Sequence, residues 1–413
     1  MTGTLPLEAI VEQGLCMGCG LCQSIAGQDV VQLRMSGERG ERPVRLQPLD
    51  AATLERINAV CPGIHCEGVE PGTVAPGDIH PIWGPTLWMA TGHAGDAAVR
   101  FHASSGGALS ALGMYLLDTR QVDFVLHVTA SQSQPARSTS TLSFNAVQVL
   151  EASGSRYGPA APLVDFRAVL ERRQPFAFIG KPCDISAIRN YARIDPRVDE
   201  YLRYTLNFFC GGVSEFGKTM DYVRKVGLTE ADVAHLRYRG DGCPGPMVIK
   251  SHAGAEYRFD YNEMWDDENR WQLQFRCKIC PDSIGELADV TVADVWPGGR
   301  PDTEGLGFNG FIARTPRGLE LLRSAIEAGA VKITESLDFA GLDLAQGSHS
   351  RKKQGLEARL QAMREAGVTV PRFERLRLDV ADAMQGPAGR EENYQGMKRR
   401  LESGDHREPS EFA

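Results

Sequence analysis

Cys16, Cys19 and Cys22 stand at C-x2-C-x2-C spacing, and a distal Cys61 is followed by Pro62. Thiolates with two residues between them reach one small inorganic core from a single loop. A Cys-Pro far along the chain adds a fourth ligand, which is the pattern of a bacterial-type 4Fe-4S cluster. Gly18 and Gly20 let the loop wrap closely. Four thiolates also suit tetrahedral zinc, although zinc ligands usually come as two separated pairs.

A second set lies later in the chain. The run Pro175–Gly180 leads into Lys181, Pro182 and Cys183, and the run Leu202–Phe209 leads into Cys210. Both runs are rich in β-formers and precede helix-like stretches, as in a parallel α/β sheet. Cysteines at the carboxyl ends of such strands face the crevice where these sheets hold ligands. Cys277 and Cys280 form a C-x2-C pair that closes the set. Cys183, Cys210, Cys277 and Cys280 are therefore candidates for a second 4Fe-4S site. Buried core thiols are the alternative, since free cysteine is commonly buried. Cys66 and Cys243 are left over as structural or near-site thiols.

Three further segments carry chemistry. Ser104, Ser105, Gly106 and Gly107 form a small-residue turn that runs into an apolar helix, Ala108 to Leu117. The free N–H groups and positive dipole end of that helix suit a phosphate or pyrophosphate, with Arg100 and Arg156 as candidate cations. The same residues also make an ordinary helix cap. Ser155, Arg156 and Tyr157 lie in a glycine-flanked turn that offers a cation and a ring to a nucleotide, or an exposed loop. Arg237 and Arg239 precede a Gly/Pro turn and have the fork geometry for carboxylate or phosphate. The run Leu287–Trp296 reads as a buried strand ending at Asp294, a carboxylate for a ring or ribose, or a turn cap.

The 413 residues, 42% hydrophobic and 24% charged, suffice for two or three domains with substantial cores. A net charge of −8 argues against nucleic-acid binding. No window approaches 18 uninterrupted apolar residues, so no membrane span is expected. The first residues lack the basic and apolar regions of a signal peptide, so a cytoplasmic location is expected. Ten cysteines there imply metal or redox chemistry rather than disulfides. The expected organisation is a cluster-binding module over 1–80, a Gly/Pro-rich linker over 68–85, and a core split into 86–165 and 166–345. A helical extension over 346–413 follows, with a helix from Arg351 to Glu365. Pro387–Gly389 and the tail from Ser403 read as mobile.

Taken in order, these motifs resemble the family of coenzyme F420 hydrogenase and dehydrogenase beta subunits, over most of residues 10–370. The carriers are the cysteine triplet with Cys61-Pro62, Ser105–Gly107, Gly154–Tyr157, Gly180–Cys183, Phe209–Gly212, Arg239–Gly242 and Cys277–Asp282. The resemblance implies a cytoplasmic oxidoreductase with two 4Fe-4S clusters and FAD. The expected fold is α/β, an N-terminal ferredoxin-like iron–sulfur module joined to an α/β flavin-binding core with a helical C-terminal tail. It implies FAD on Arg100, Ser104, Ser105, Gly106, Gly107, Ser155, Arg156, Tyr157, Lys181 and Asp294. A ferredoxin or another electron-transfer protein and an organic small molecule are the implied partners, and an oligomer is compatible. The family includes subunits of hydrogenases and formate dehydrogenases and stand-alone, ferredoxin-linked reductases of chlorophyll pigments. An electron-transfer subunit of a larger complex is thus a second reading, and a non-enzymatic zinc protein a third. Two departures stand out: Ala293 precedes Asp294 where glycine is expected, and Arg156 stands where lysine is common.

Overall fold

Phe176 and Phe178 project to one side of their strand and Ala177 and Ile179 to the other, and both sides are covered by apolar side chains. A strand buried on both faces reads as a continuous apolar run, and successive residues still alternate between faces. The computed structural model describes residues 4–265, 271–296, 301 and 304–408. Its centre is an eight-stranded sheet in the order Val331–Ser336, Trp88–Ala94, Asn309–Ala313, Val290–Asp294, Leu202–Phe208, Phe176–Gly180, Phe124–Ala130, Ser138–Ser143. The four strands from Val290–Asp294 to Phe124–Ala130 are parallel. The outer strands pair antiparallel, so the parallel sheet expected from sequence is the middle of a mixed one.

One face packs Phe124, Phe176, Phe178, Ile185 and Ile188 against Leu7, Leu21, Ile57 and Val60. Residues 1–80 therefore share a core with the sheet and do not close one of their own. They comprise helices Leu7–Glu12, Leu21–Ala26 and Ala51–Val60 and the hairpin of Val31–Ser36 with Gly40–Arg45. Strand His65–Glu67 pairs in parallel with Arg372–Glu374 from the far end of the chain. The other face of the sheet packs Leu112 and Leu116 of helix Ala108–Asp118 on Val125, Ala177 and Leu206. The segment expected as a linker carries Trp83, which is fully buried.

Between Leu202–Phe208 and Val290–Asp294 the chain inserts a smaller unit. Helix Phe216–Lys225 turns Phe216, Met220 and Val223 onto the three-stranded sheet of Val233–Arg237, Met247–Ser251 and Glu256–Phe259. This unit delivers Arg239, Tyr261 and Trp265 to the site described below.

The C-terminal part differs from expectation. The helix expected from Arg351 spans the end of Phe339–Gln354 and all of Leu356–Glu365. Pro387 opens helix Pro387–Ser403, where its missing N–H costs nothing. The tail expected to be mobile from Ser403 instead folds back on the N-terminal module, with His406 and Glu408 buried. Residues 409–413 lie outside the described residues.

Candidate redox site

Cys16 and Cys19 lie on the loop between the first two helices, and Cys22 sits in the first turn of Leu21–Ala26. The loop depends on two left-handed glycines, Gly18 at φ +68° and Gly20 at φ +90°. A Cβ on Gly18 would stand 2.6 Å from Glu41 O, and one on Gly20 would stand 2.5 Å from Val164 Cγ1. Cys61 is the C-cap of helix Ala51–Val60, whose start is fixed by Asp50 accepting from Thr53 N at 2.8 Å. Cys16 is buried and the other three half-buried, and Cys22 lies within electrostatic reach of Cys19, Cys16 and Cys61. Burial pushes these thiols up, Cys61 to about 12. Without a cation they stay protonated, so metal binding there displaces protons. Arg42, fully buried, lies beside Cys16 and is paired with Glu408.

The second set comes from three segments of the chain. Cys183 opens helix Pro182–Ala192 at the end of its strand, and Cys210 lies just past Leu202–Phe208. Cys277 and Cys280 come from the turn around the short helix Phe275–Lys278. Cys183 senses Cys210 and Cys280, and Cys210 senses Cys277 and Cys280. Burial raises the Cys210 thiol to about 12. Val213 N donates to Cys277 Sγ at 3.3 Å. Met17, between two cysteines of the first set, packs in one cluster with Val213, Cys277 and Cys183, so the two sets adjoin. Cys66 donates to Pro62 O at 3.2 Å, and Cys243 lies apart, beside Arg239 and Asp294.

A cavity of about 710 Å³ opens at the carboxyl ends of the parallel strands. Lys181, Asp184 and Cys210 line it from the strand ends. Burial alone would lower the Lys181 ammonium, but the Asp184 carboxylate at 2.7 Å holds it above the ordinary lysine value. Ser104, Ser105 and Gly107 line the cavity at the start of helix Ala108–Asp118. Gly107 is left-handed at φ +73°, and a Cβ there would stand 2.8 Å from Val99 O. Ser155 joins the two polar turns by donating to Ser104 Oγ, from N at 2.8 Å and from Oγ at 2.9 Å.

Opposite these turns, Arg239 is buried and donates to Asp294 Oδ2 and Ser105 Oγ, each at 2.9 Å, and to Tyr157 OH at 3.2 Å. Ser105 also donates to Asp294 Oδ1. The Arg239 guanidinium stands 5.0 Å over the Tyr261 ring and 5.4 Å over Trp296. The fork flagged in the sequence therefore has a carboxylate partner within its own chain. Trp265 and Trp271 complete this aromatic wall. A break in helix Phe339–Gln354, with Gln346 at φ −132°, brings Gln346 and His349 to the rim. Gln346 Nε2 donates to Asp294 O at 2.5 Å. Burial keeps His349 neutral, at about 3, and its Nδ1 meets Ser283 Oγ at 2.9 Å.

Of the residues singled out for the flavin, Ser104, Ser105, Gly107, Ser155, Arg156, Tyr157, Lys181 and Asp294 line this cavity. Arg156 does so with its guanidinium donating to the carbonyls of Leu236 and Arg137, each at 2.8 Å, and stacked 5.1 Å over Tyr238. Arg100 and Gly106 are not in the lining. Arg100 Nε donates to Gly307 O at 2.7 Å, and Gly106 packs against Phe308, whose Cα would stand 2.7 Å from an added Cβ. The sequence did not single out Tyr261, Trp265, Trp271, Gln346 or His349. The one signal for the three aromatic residues is aromatic density around 261–271, and Gln346 and His349 carry none.

Among the described residues, no helix is long and apolar enough to cross a membrane. Two family models match, describing the N-terminal and the C-terminal parts of the coenzyme F420 hydrogenase/dehydrogenase beta subunit, the first over residues 89–166 and the second over 174–338. The coenzyme F420 hydrogenase subunit beta of Methanococcus voltae is 25% identical over 67% of this chain and 94% of its own length. The F420-dependent formate dehydrogenase 1 subunit beta of Methanococcus maripaludis is 26% identical, covering 68% of this chain and 70% of that protein. The coenzyme F420-dependent sulfite reductase of Methanocaldococcus jannaschii is 22% identical over 86% of this chain, which spans about half (52%) of it. A chain of the F420-reducing [NiFe] hydrogenase complex from Methanosarcina barkeri shares the fold, with a TM-score of 0.53 at 19% identity, covering 68% of this chain and 95% of that one. With both models matched and together spanning more than half of its length, the chain belongs to the coenzyme F420 hydrogenase/dehydrogenase beta subunit family.

Proposed function

We propose that the chain is an iron–sulfur flavoprotein oxidoreductase that passes electrons between a ferredoxin-type protein and an organic substrate. One observation carries the reading: Cys210 and the turn at the start of helix Ala108–Asp118 line the same cavity. Cys16, Cys19, Cys22 and Cys61 would hold one 4Fe-4S cluster, and Cys183, Cys210, Cys277 and Cys280 a second. FAD would lie in the cavity, its pyrophosphate on the N–H groups after Gly107. Bound there, the clusters supply single-electron transfer and the flavin the conversion of two such electrons to a hydride equivalent.

The donor sets fit this chemistry. Among the described residues, no three of these sulfurs lie within 4.8 Å of one another. Tetrahedral zinc with 2.3 Å bonds needs sulfurs about 3.8 Å apart. The wider spacing favours a larger core over the zinc reading. Lys181, held charged by Asp184, places a cation in the cavity lining next to Cys183. Arg239 is neutralised by Asp294, so it anchors the aromatic wall and leaves no bare charge in it. That wall suits a planar ring on its faces.

A second reading, an electron-transfer subunit of a larger enzyme, is favoured by the relatives named as beta subunits. Anaerobic purification and quantification of iron, sulfide, zinc and flavin test the proposal. About eight irons and one flavin per chain are expected, from two four-iron sites. Stoichiometric zinc without flavin would sink it, and a co-purifying catalytic subunit would favour the second reading.

A further inference from the structure

Arg276 is 2% exposed and sits at the junction of the two cysteine sets. Its Nε donates to Gly63 O at 2.9 Å and one terminal nitrogen to Pro62 O at 2.8 Å, the two carbonyls just after Cys61. The other terminal nitrogen donates to Ile279 O at 3.1 Å, between Cys277 and Cys280. One guanidinium thus ties a ligand loop of the first set to a ligand loop of the second. Among the described residues, no carboxylate pairs with it. Its remaining neighbours are Cys66 Sγ at 3.5 Å and the Phe373 ring at 5.0 Å. Through Gly63 and Ile279 its charge stands beside the Cys61 loop and the Cys280 loop alike.

Two other cations nearby differ. Arg42 is beside Cys16 but answered by Glu408. Lys352 reaches Cys210 and Cys280 but not Cys61, from a half-buried position. Burying a guanidinium with no counterion is costly unless negative charge lies close. With clusters bound, the negative charge meeting Arg276 on both sides would be that of the Cys61 and Cys280 thiolates.

We infer that Arg276 is a positioning residue shared by both clusters, bracing a ligand loop of each and biasing both toward the reduced, more negative form. This rests on the two-cluster reading above. The test is a potentiometric titration of the anaerobic holoprotein, followed by absorption and electron paramagnetic resonance. Arg276→Gln removes the charge, and both midpoint potentials should move to more negative values together. Arg276→Lys keeps the charge, and both should return toward wild type. Lys352→Gln should move one cluster only.

If Arg276→Gln holds too little iron to titrate, both four-iron complements should be lost together and regained in Arg276→Lys. A shift or loss confined to one cluster, or one that lysine does not reverse, overturns the inference. Unmoved potentials in Arg276→Gln overturn it too. Wild-type protein with fewer than about eight irons after reconstitution overturns instead the two-cluster reading beneath it.

Discussion

Glu408→Ala should destabilise the protein far more than a change near a chain end ordinarily does. Arg42 Nε donates to Glu408 Oε2 at 2.6 Å and Nη2 to Glu408 Oε1 at 2.7 Å, a bidentate pair. The two side chains are 0% and 7% exposed. Removing the carboxylate leaves a cation without its partner in the interior, a loss of about 3–5 kcal/mol for buried pairs. Local opening caps this loss. The last described turn is held by Glu408 N to Glu12 O at 3.0 Å and by the His406 ring against Phe275. If those few contacts release, water reaches Arg42. The low end, about 3 kcal/mol, is therefore expected.

Urea unfolding of the anaerobic holoprotein measures the difference, provided each variant unfolds in one transition. Arg42→Met with Glu408→Leu should recover most of the loss, because an apolar pair of similar volume needs no counterion. Trypsin should cut after Arg407 sooner in Glu408→Ala than in wild type. A stability change within about 0.5 kcal/mol, the usual range for surface substitutions, would refute the reasoning, above all with an unchanged trypsin pattern.

Three other outcomes are expected. Cys19→Ser should remove about four irons and leave the second site filled, whereas Cys243→Ser should leave the iron count unchanged; chemical iron analysis decides both. Ser110→Asp adds a carboxylate in the first turn of helix Ala108–Asp118, which suits the helix dipole but repels a phosphate on the same N–H groups. Bound flavin should fall while thermal stability holds; full flavin occupancy would place the pyrophosphate elsewhere. His127 is buried with its pKa lowered to about 4, and its Nε2 meets Ser143 Oγ at 2.7 Å. Between about 4 and the ordinary 6.5 the unfolded chain binds a proton that the folded chain does not, so stability falls as pH drops through that window. His127→Gln should flatten that slope in urea midpoints measured from pH 7 down to pH 4.5.

What the sequence disclosed was local. Cys16, Cys19 and Cys22 announce themselves because their spacing is itself the geometry, and the strand runs before Cys183 and Cys210 because both faces are buried. The helix starting at Ala108 was legible from its glycine stop and apolar run. The sheet's antiparallel flanks were not, because Asn309–Ala313 is as uniformly buried as the parallel strands and its burial carries no sign of direction. Local composition misled at Trp83 and at Pro387, where Gly and Pro density read as loop. In one case an aromatic side chain is drawn into the core, and in the other proline opens a helix.

Arg276 and Arg42 show the limit most plainly. Each is an unremarked cation in sequence, and each gains its meaning from groups far along the chain. Arg42 meets Glu408, 366 positions away, and Arg276 meets Pro62 and Gly63, more than 200 away. The burial of Arg276 follows from the cysteine loops. A loop that presents several sulfurs to one point turns its carbonyls outward, and those acceptors need donors that water cannot supply in the interior. Arginine, with five N–H groups in a rigid fork, satisfies several at once. Arg276 accordingly spans three carbonyls of the ligand loops, whereas Arg42 is held by Glu408 and by Glu41 O on its own strand. The buried Arg276 is thus a consequence of the ligand loops, and nothing in its local sequence marks it.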